Sequence, residues 1–277
     1  MSDEILFQIQ GGIATLRFNR PQARNALNWR AQEQFAARVE DVARDKALRV
    51  LILTGTGGAF VSGGDLKELS RGDLSANGQR LSRVMSGALA QMMRLPLPII
   101  AAVNGPAVGG GCEILLACDL RVAAGAARLS FAQARLGLTT GWGGAARLVA
   151  LVGRSRAADI LLRARTLTAR QALDMGLLHA VAEDREDVVA LAQRWAADLA
   201  ALPRDALAGM KQLLYAPELR DEQDAERLER QLFNDLWGQP AHRQALASFL
   251  GQGSGDDLAG DAHAAEGDAG GGLPGEN

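Results

Sequence analysis

The chain has 277 residues, 48% of them hydrophobic, which is enough for a large core in an ordinary globular protein. Aromatic residues make up only 4%, and the formal net charge is −2. No apolar run approaches the roughly 20 residues that cross a bilayer, and no arginine-rich stripe or aromatic platform signals a nucleic acid. Neither a membrane nor a nucleic-acid partner is therefore expected.

In chain order, the opening MSDEILFQIQ reads as a strand rather than a targeting segment, so a cytoplasmic location is expected. Residues 4–18 predict a hairpin: Ile5, Phe7 and Ile9 alternate, Gly11-Gly12 turns the chain, and Ile13 to Phe18 runs back. Residues 29–46 predict a helix, and Leu48 to Leu53 a short buried strand ending at a glycine cluster. Residues 79–94 predict a helix stopped by Pro96 and Pro98, followed by a strand from Ile99 to Val103. After Gly109-Gly110-Gly111 a helix runs through Ala117, and Leu120 to Ala123 is a further strand. From about residue 155 the pattern turns helical, with Thr168 as an N-cap and amphipathic helices at 186–201 and 221–236. The two cysteines, Cys112 and Cys118, offer no disulfide framework. Residues 251–277 hold six acids, nine glycines and no Lys or Arg, which predicts a disordered tail in which His263 is incidental. The rest then carries 30 basic residues against 26 acidic, a mild excess compatible with a local phosphate site. The pattern alone gives an α/β body followed by a helical C-terminal section.

Two glycine loops stand out: GTGGAFVSGGDLKEL at 55–69 and NGPAVGGGCEILLACD at 104–119. Each follows a strand, and the second opens a helix whose first N–H groups lack helical partners. One reading is that the loops only make tight turns. The other is that each aims one N–H at a single oxygen, as an enolate or other oxyanion requires. Neither loop is a phosphate loop, a dinucleotide fingerprint or a nucleophile elbow.

Five segments in order resemble the enoyl-CoA hydratase/isomerase, or crotonase, superfamily: FNRPQARNALN at 18–28, GAFVSGGDLKEL at 58–69, NGPAVGGGCEILLACDLRVA at 104–123, ARLSFAQARLGLTTGWGGAARL at 127–148 and ARTLTARQALDMGLLHAV at 164–181. The resemblance covers roughly residues 4–250. It implies an α/β fold, a crotonase-type spiral of repeated ββα units over residues 1–200 with a C-terminal helical section at 201–250 that packs between subunits. It implies an acyl-CoA substrate, with coenzyme A as its carrier and no redox or metal cofactor. It also implies a homotrimer, often paired into a hexamer as a dimer of trimers. The oxyanion donors would be the N–H groups of Gly64 and Gly110. Ala23, Arg24, Ser62, Asp65, Leu66 and Lys67 would border the coenzyme A, and Gln22 stands where the hydratase pattern often has lysine.

Hydration of a 2-enoyl thioester needs one group to activate water and another to protonate the α carbon, work suited to two carboxyls. The family pattern supplies the first as Glu113, but the second position holds Gln133, an amide that exchanges no proton near neutral pH. Two reactions lead: hydration or hydratase–lyase chemistry using Glu113, and decarboxylation of a short branched malonyl-CoA such as ethylmalonyl-CoA; isomerisation, which the family serves with a carboxylate at the position of Gln133, and thioester hydrolysis stay open beside them. The stretch GLTTGWGG at 137–144 is similar to the form found in ethylmalonyl-CoA decarboxylase-like members, with Trp142 either narrowing the acyl pocket or packing in the core. A non-catalytic CoA- or RNA-binding protein is a third reading. Arg135 would meet a substrate carboxylate or point to solvent. Neither His179 nor His242 has metal-ligand spacing.

Overall fold

The computed structural model describes residues 3–183, 186–215, 227, 230–231 and 233–251. The acidic tail beyond 251 and most of the helix expected at 221–236 lie outside the described residues.

Strands β1 (Ile5–Gln10) and β2 (Ile13–Phe18) pair antiparallel around Gly11 and Gly12, whose φ values of 58° and 77° favour glycine. Helix α1 (Trp29–Arg44) is opened by Asn28, whose side chain accepts from Ala31 N–H at 2.8 Å, and it buries Phe35, Val39 and Val42 at helical spacing. Strand β3 is Val50–Gly55, two residues later than expected, because Leu48 N–H instead bonds Asp45 C=O in the turn after α1. The short α2 (Leu66–Leu69) precedes α3 (Leu74–Met93). The latter begins five residues before the expected start, because the Asp73 carboxylate accepts from Ser75 and Ala76 N–H and caps a polar first turn.

A repeat organises the centre. Strand β4 (Ile99–Val103) is followed by β5 (Ala107–Val108) and α4 (Gly110–Leu116). Strand β6 (Leu120–Ala123) is followed by β7 (Arg128–Ser130), the 3-10 helix Ala132–Leu136 and α5 (Gly144–Leu162). The first strand of each unit joins one sheet, of order β1-β2-β3-β4-β6-β9, with β9 at Ala180–Val181. The second joins a smaller sheet, β5-β7-β8, with β8 at Thr166–Thr168. Val61 bridges to Ala107, so β3 opens a similar unit. This is the ββα spiral expected from the resemblance. The two-residue strands β5 and β9 are too short to show an alternating pattern in sequence.

Pairing from β2 through β9 in the large sheet is parallel, and both faces are covered. Leu51, Leu53, Ile99, Ala101 and Val103 face the main core, while Val50, Ile52, Ile100 and Ala102 face α7 (Val188–Ala201). Each fully buried Leu, Ile or Val there contributes roughly 1.5–3 kcal/mol. Thr168 caps α6 (Ala169–Asp174) in a capping box with Gln171. Helix α8 (Arg204–Tyr215) returns to the start of the large sheet, where Lys211 Nζ and Tyr215 Oη each donate to Asp119 at 2.8 Å. The last described helix, Pro240–Gly251, packs beside the 3-10 helix Ala132–Leu136.

Candidate active site

The two glycine loops meet. A Cβ built on Gly63 would lie 3.2 Å from Gly110 N. The first loop is held by a parallel bridge in which Leu27 N–H donates to Gly63 C=O at 2.8 Å and Asp65 N–H donates to Leu27 C=O at 3.0 Å. This pairing leaves Gly64 N–H outside the ladder. In the second loop Gly109 N–H donates to Ser130 C=O, and Gly109 takes φ 53°, ψ −113°, a conformation that essentially requires glycine. Gly110 is the first residue of α4, so its N–H has no partner within the helix. Gly64 and Gly110 are both half-buried. Among the described residues the Gly64 and Gly110 N–H groups make no backbone hydrogen bond, and free N–H groups on adjoining loops are the kind of donors an oxyanion needs.

The wall beside Gly110 is Trp142, which is 3% exposed. A Cβ on Gly110 would fall 2.1 Å from its ring. Trp142 therefore packs in the core, as one of its two expected roles has it, and borders the Gly110 loop.

Glu113 lies one helical turn beyond Gly110 and is 2% exposed. Its Oε2 accepts from Trp142 N–H at 2.8 Å and Gly144 N–H at 3.0 Å. Its Oε1 accepts longer bonds, from Gln133 Nε2 at 3.2 Å and Gly141 N–H at 3.4 Å. These four groups are all donors, and an ionised carboxylate can accept from every one of them. Backbone N–H groups converging from one short loop make a concavity suited to a negative charge. Gly144 is needed there, since a Cβ at that position would come within 2.6 Å of Glu113 Cγ. The loop is braced by Arg147, whose Nη1 donates to Trp142 C=O at 2.7 Å, and by Ser82, whose hydroxyl donates to Gly141 C=O at 3.0 Å.

Gln133 sits in the 3-10 helix Ala132–Leu136, and its Oε1 is buried with no hydrogen-bond partner among the described residues. The structure thus joins Glu113 and Gln133 directly. Arg135, two residues on, is exposed.

Along the other rim, Ala23 ends the 3-10 helix Pro21–Ala23, and Arg24 follows with φ 49° and an exposed side chain. Ser62 Oγ reaches Ala23 C=O at 3.3 Å, so these two candidates are neighbours. Asp65 forms an ion pair with Arg20 at 2.8 Å, and Arg20 also pairs with Glu4 at 2.9 Å. Asp65 braces the first loop, but its side chain makes no capping bond to α2. Leu66 and the exposed Lys67 begin α2. Sequence reasoning did not single out Arg20, Arg147 or Ser82. Only the glycine run around Trp142 hinted at a loop built to approach a side chain.

Cys112 and Cys118 are free and buried. Burial pushes the Cys112 thiol well above its ordinary range and the Cys118 thiol up to about 12, so neither is a thiolate nucleophile near neutral pH. Among the described residues no three His, Cys, Asp or Glu side chains lie close enough together to hold a metal ion. No described helix is long and apolar enough to cross a membrane.

Comparison with known proteins agrees with this geometry. The enoyl-CoA hydratase/isomerase family profile matches residues 8–255. Ethylmalonyl-CoA decarboxylase from Gallus gallus is 32% identical over 237 residues, covering 85% of this chain and 80% of that protein. A probable enoyl-CoA hydratase from Bacillus subtilis (strain 168) is 31% identical, covering 86% and 92%. The crystal structure of an enoyl-CoA hydratase/isomerase from Mycobacterium paratuberculosis superposes with a TM-score of 0.83 at 27% identity, over 90% of this chain and 99% of that one. With a profile match across most of its length, a matching fold and the two glycine loops in contact, the chain belongs to the enoyl-CoA hydratase/isomerase family of CoA-thioester enzymes.

Proposed function

We propose that this enzyme decarboxylates a short branched malonyl-CoA such as ethylmalonyl-CoA. The observation that carries the reading is the Glu113–Gln133 pair. An amide stands 3.2 Å from the Glu113 carboxylate, at the position where two-carboxyl hydration needs a second ionisable group.

In the proposed reaction the bond between the α carbon and the substrate carboxylate breaks. Its electron pair moves into the thioester, carbon dioxide leaves, and the enolate oxygen rests between Gly64 N–H and Gly110 N–H. The α carbon then takes a proton that solvent ultimately supplies, giving the saturated acyl-CoA. The two N–H groups act where charge develops, and losing one such donor typically costs roughly 100- to 1000-fold. Neutral Gln133 adds no second negative charge against the substrate carboxylate. Glu113 Oε1, with the longer hydrogen bonds, is the oxygen better placed to exchange a proton. Trp142 closes the space beside Gly110 and favours a small acyl group. Ala23, Arg24, Ser62, Asp65, Leu66 and Lys67 border the coenzyme A. Similarity to a protein named ethylmalonyl-CoA decarboxylase supports this reading.

One observation favours hydration as a second reading. The buried Gln133 Oε1 is an acceptor with no partner among the described residues, and a water bound there would lie beside Glu113 Oε1. Steady-state rates with ethylmalonyl-CoA and crotonyl-CoA separate the two. The proposal expects kcat/KM for ethylmalonyl-CoA to exceed that for crotonyl-CoA by at least about 100-fold, a 2.7 kcal/mol preference. The reverse order replaces it with hydration.

A further inference from the structure

We infer that Phe233, Trp237 and His242 form a positioning device for the Glu113–Gln133 pair, supplied by the C-terminal section of the same chain. The inference rests on the thioester chemistry proposed for that pair.

The three side chains are 5%, 4% and 0% exposed. They stack in order: the Phe233 and Trp237 ring centroids are 5.2 Å apart, and those of Trp237 and His242 are 4.7 Å apart. One end of the stack meets the loop that donates to Glu113, and the other meets the 3-10 helix that carries Gln133. At one end Phe233 presses on Gly141, where a Cβ would come within 2.5 Å of the ring. The Gly141 peptide is thereby held three ways: by the ring at its α carbon, by the Ser82 hydroxyl at its C=O, and by Glu113 Oε1 at its N–H. At the other end His242 Nδ1 lies 2.8 Å from Leu136 C=O. A carbonyl only accepts, so Nδ1 donates. Leu136 closes the short 3-10 helix that carries Gln133. Between the two ends, Trp237 is seated on α3, where a Cβ on Gly78 would come within 2.4 Å of its ring.

The consequence is geometric. Glu113 and Gln133 reside on separate segments, and their mutual contact at 3.2 Å depends on how far apart those segments stand. The ring stack fixes the stretch from Leu136 to Gly141 at both points and seats it against α3 through Gly78, and so sets where that stretch stands relative to Glu113 on α4. The rings meet the backbone at Gly141 and Leu136 and act through it. Misplacement on the order of 1 Å at a reacting group can cost about 100-fold.

Kinetics with whichever of the two thioesters the enzyme turns over provide the test. Phe233→Ala is expected to lower kcat about 10- to 100-fold with KM changed less than about threefold. Phe233→Leu, which refills the contact with Gly141, is expected to recover most of that loss. In a Glu113→Gln background the same Phe233→Ala change is expected to lower kcat less than about twofold, because the group it positions is already disabled. Full, multiplicative losses in both backgrounds, or a Leu variant no better than Ala, would overturn the inference. If Phe233→Ala does not fold, His242→Phe keeps the stack and removes only the bond to Leu136. It should lower kcat, and should have no further effect when combined with Gln133→Ala; an unchanged kcat would overturn the inference.

Hydrogen exchange separates this idea from the proposed reaction. If the wild-type protein turns over neither thioester, the functional proposal fails. Amide exchange then decides the inference alone. Exchange at residues 139–144 at least about tenfold faster in Phe233→Ala, with β3, β4 and β6 unchanged, supports it. Equal exchange, or acceleration across the whole chain, refutes it.

Discussion

Glu113 holds its two tightest hydrogen bonds at Oε2, from the Trp142 and Gly144 N–H groups, and its two longer ones at Oε1. Glu113→Gln replaces one acceptor oxygen with a donor that must face either backbone N–H groups or the Gln133 amide. Turnover is expected to fall about 100-fold while thioester affinity changes little, measured as kcat against the dissociation constant from calorimetry. Equal losses in both would remove Glu113 from the chemistry. Gln133→Glu would bring two carboxyls to about 3 Å, where both cannot ionise together and one is held protonated. That variant is expected to raise the ratio of crotonyl-CoA hydration to decarboxylation, with a new pH dependence. An unchanged ratio would show that position 133 does not select the reaction. Glu113 and Gln133 were legible in the sequence because the segments around them resemble the family's. The backbone donors at 141, 142 and 144 were not, since every residue but proline has an N–H and only the fold decides where it points.

Elements with a regular apolar period were the ones read correctly. Strands at Ile99–Val103 and Leu120–Ala123 and the N-cap at Thr168 were visible because buried runs and capping residues are local signals. The start of α3 was missed because Leu74 to Gly78 alternates apolar and polar residues with no helical period, and the Asp73 cap opens the helix there. The smaller sheet was missed because β5, β7 and β8, two or three residues each, are made by long-range pairing, not by propensity. The docking of α8 was equally hidden. Lys211 and Tyr215 converge on Asp119 from more than ninety residues away. Burial and the Asp119 carboxylate push the Tyr215 hydroxyl well above its ordinary range, so it stays a donor. Asp119→Ala would leave the buried Lys211 ammonium without its carboxylate. It is expected to destabilise the protein by about 3 kcal/mol, read from chemical denaturation. A change below about 0.5 kcal/mol would mean that α8 is held by packing alone.

At the scale of the whole molecule, the β-spiral brings together loops from residues 23, 64, 110 and 133, while the C-terminal section folds back on its own core. That section also presents Met210 and Leu214, 64% and 73% exposed, on one face of α8. A trimer, or a hexamer built from two trimers, as the family resemblance implies, would give such apolar side chains a surface to cover. Sedimentation velocity should find a species three or six times the 29.2 kDa chain, and Met210→Glu with Leu214→Glu should shift it toward the single chain. A single-chain species in the unmodified protein would leave that face to another role.

The proposed reaction turns on a thioester enolate held between Gly64 and Gly110 as carbon dioxide departs. The most direct measurement is the product formed from ethylmalonyl-CoA in deuterium oxide, followed by mass spectrometry. The account predicts release of carbon dioxide and butyryl-CoA that carries solvent deuterium at its α carbon. Intact ethylmalonyl-CoA, with crotonyl-CoA converted to its hydrate by the same preparation, would contradict it.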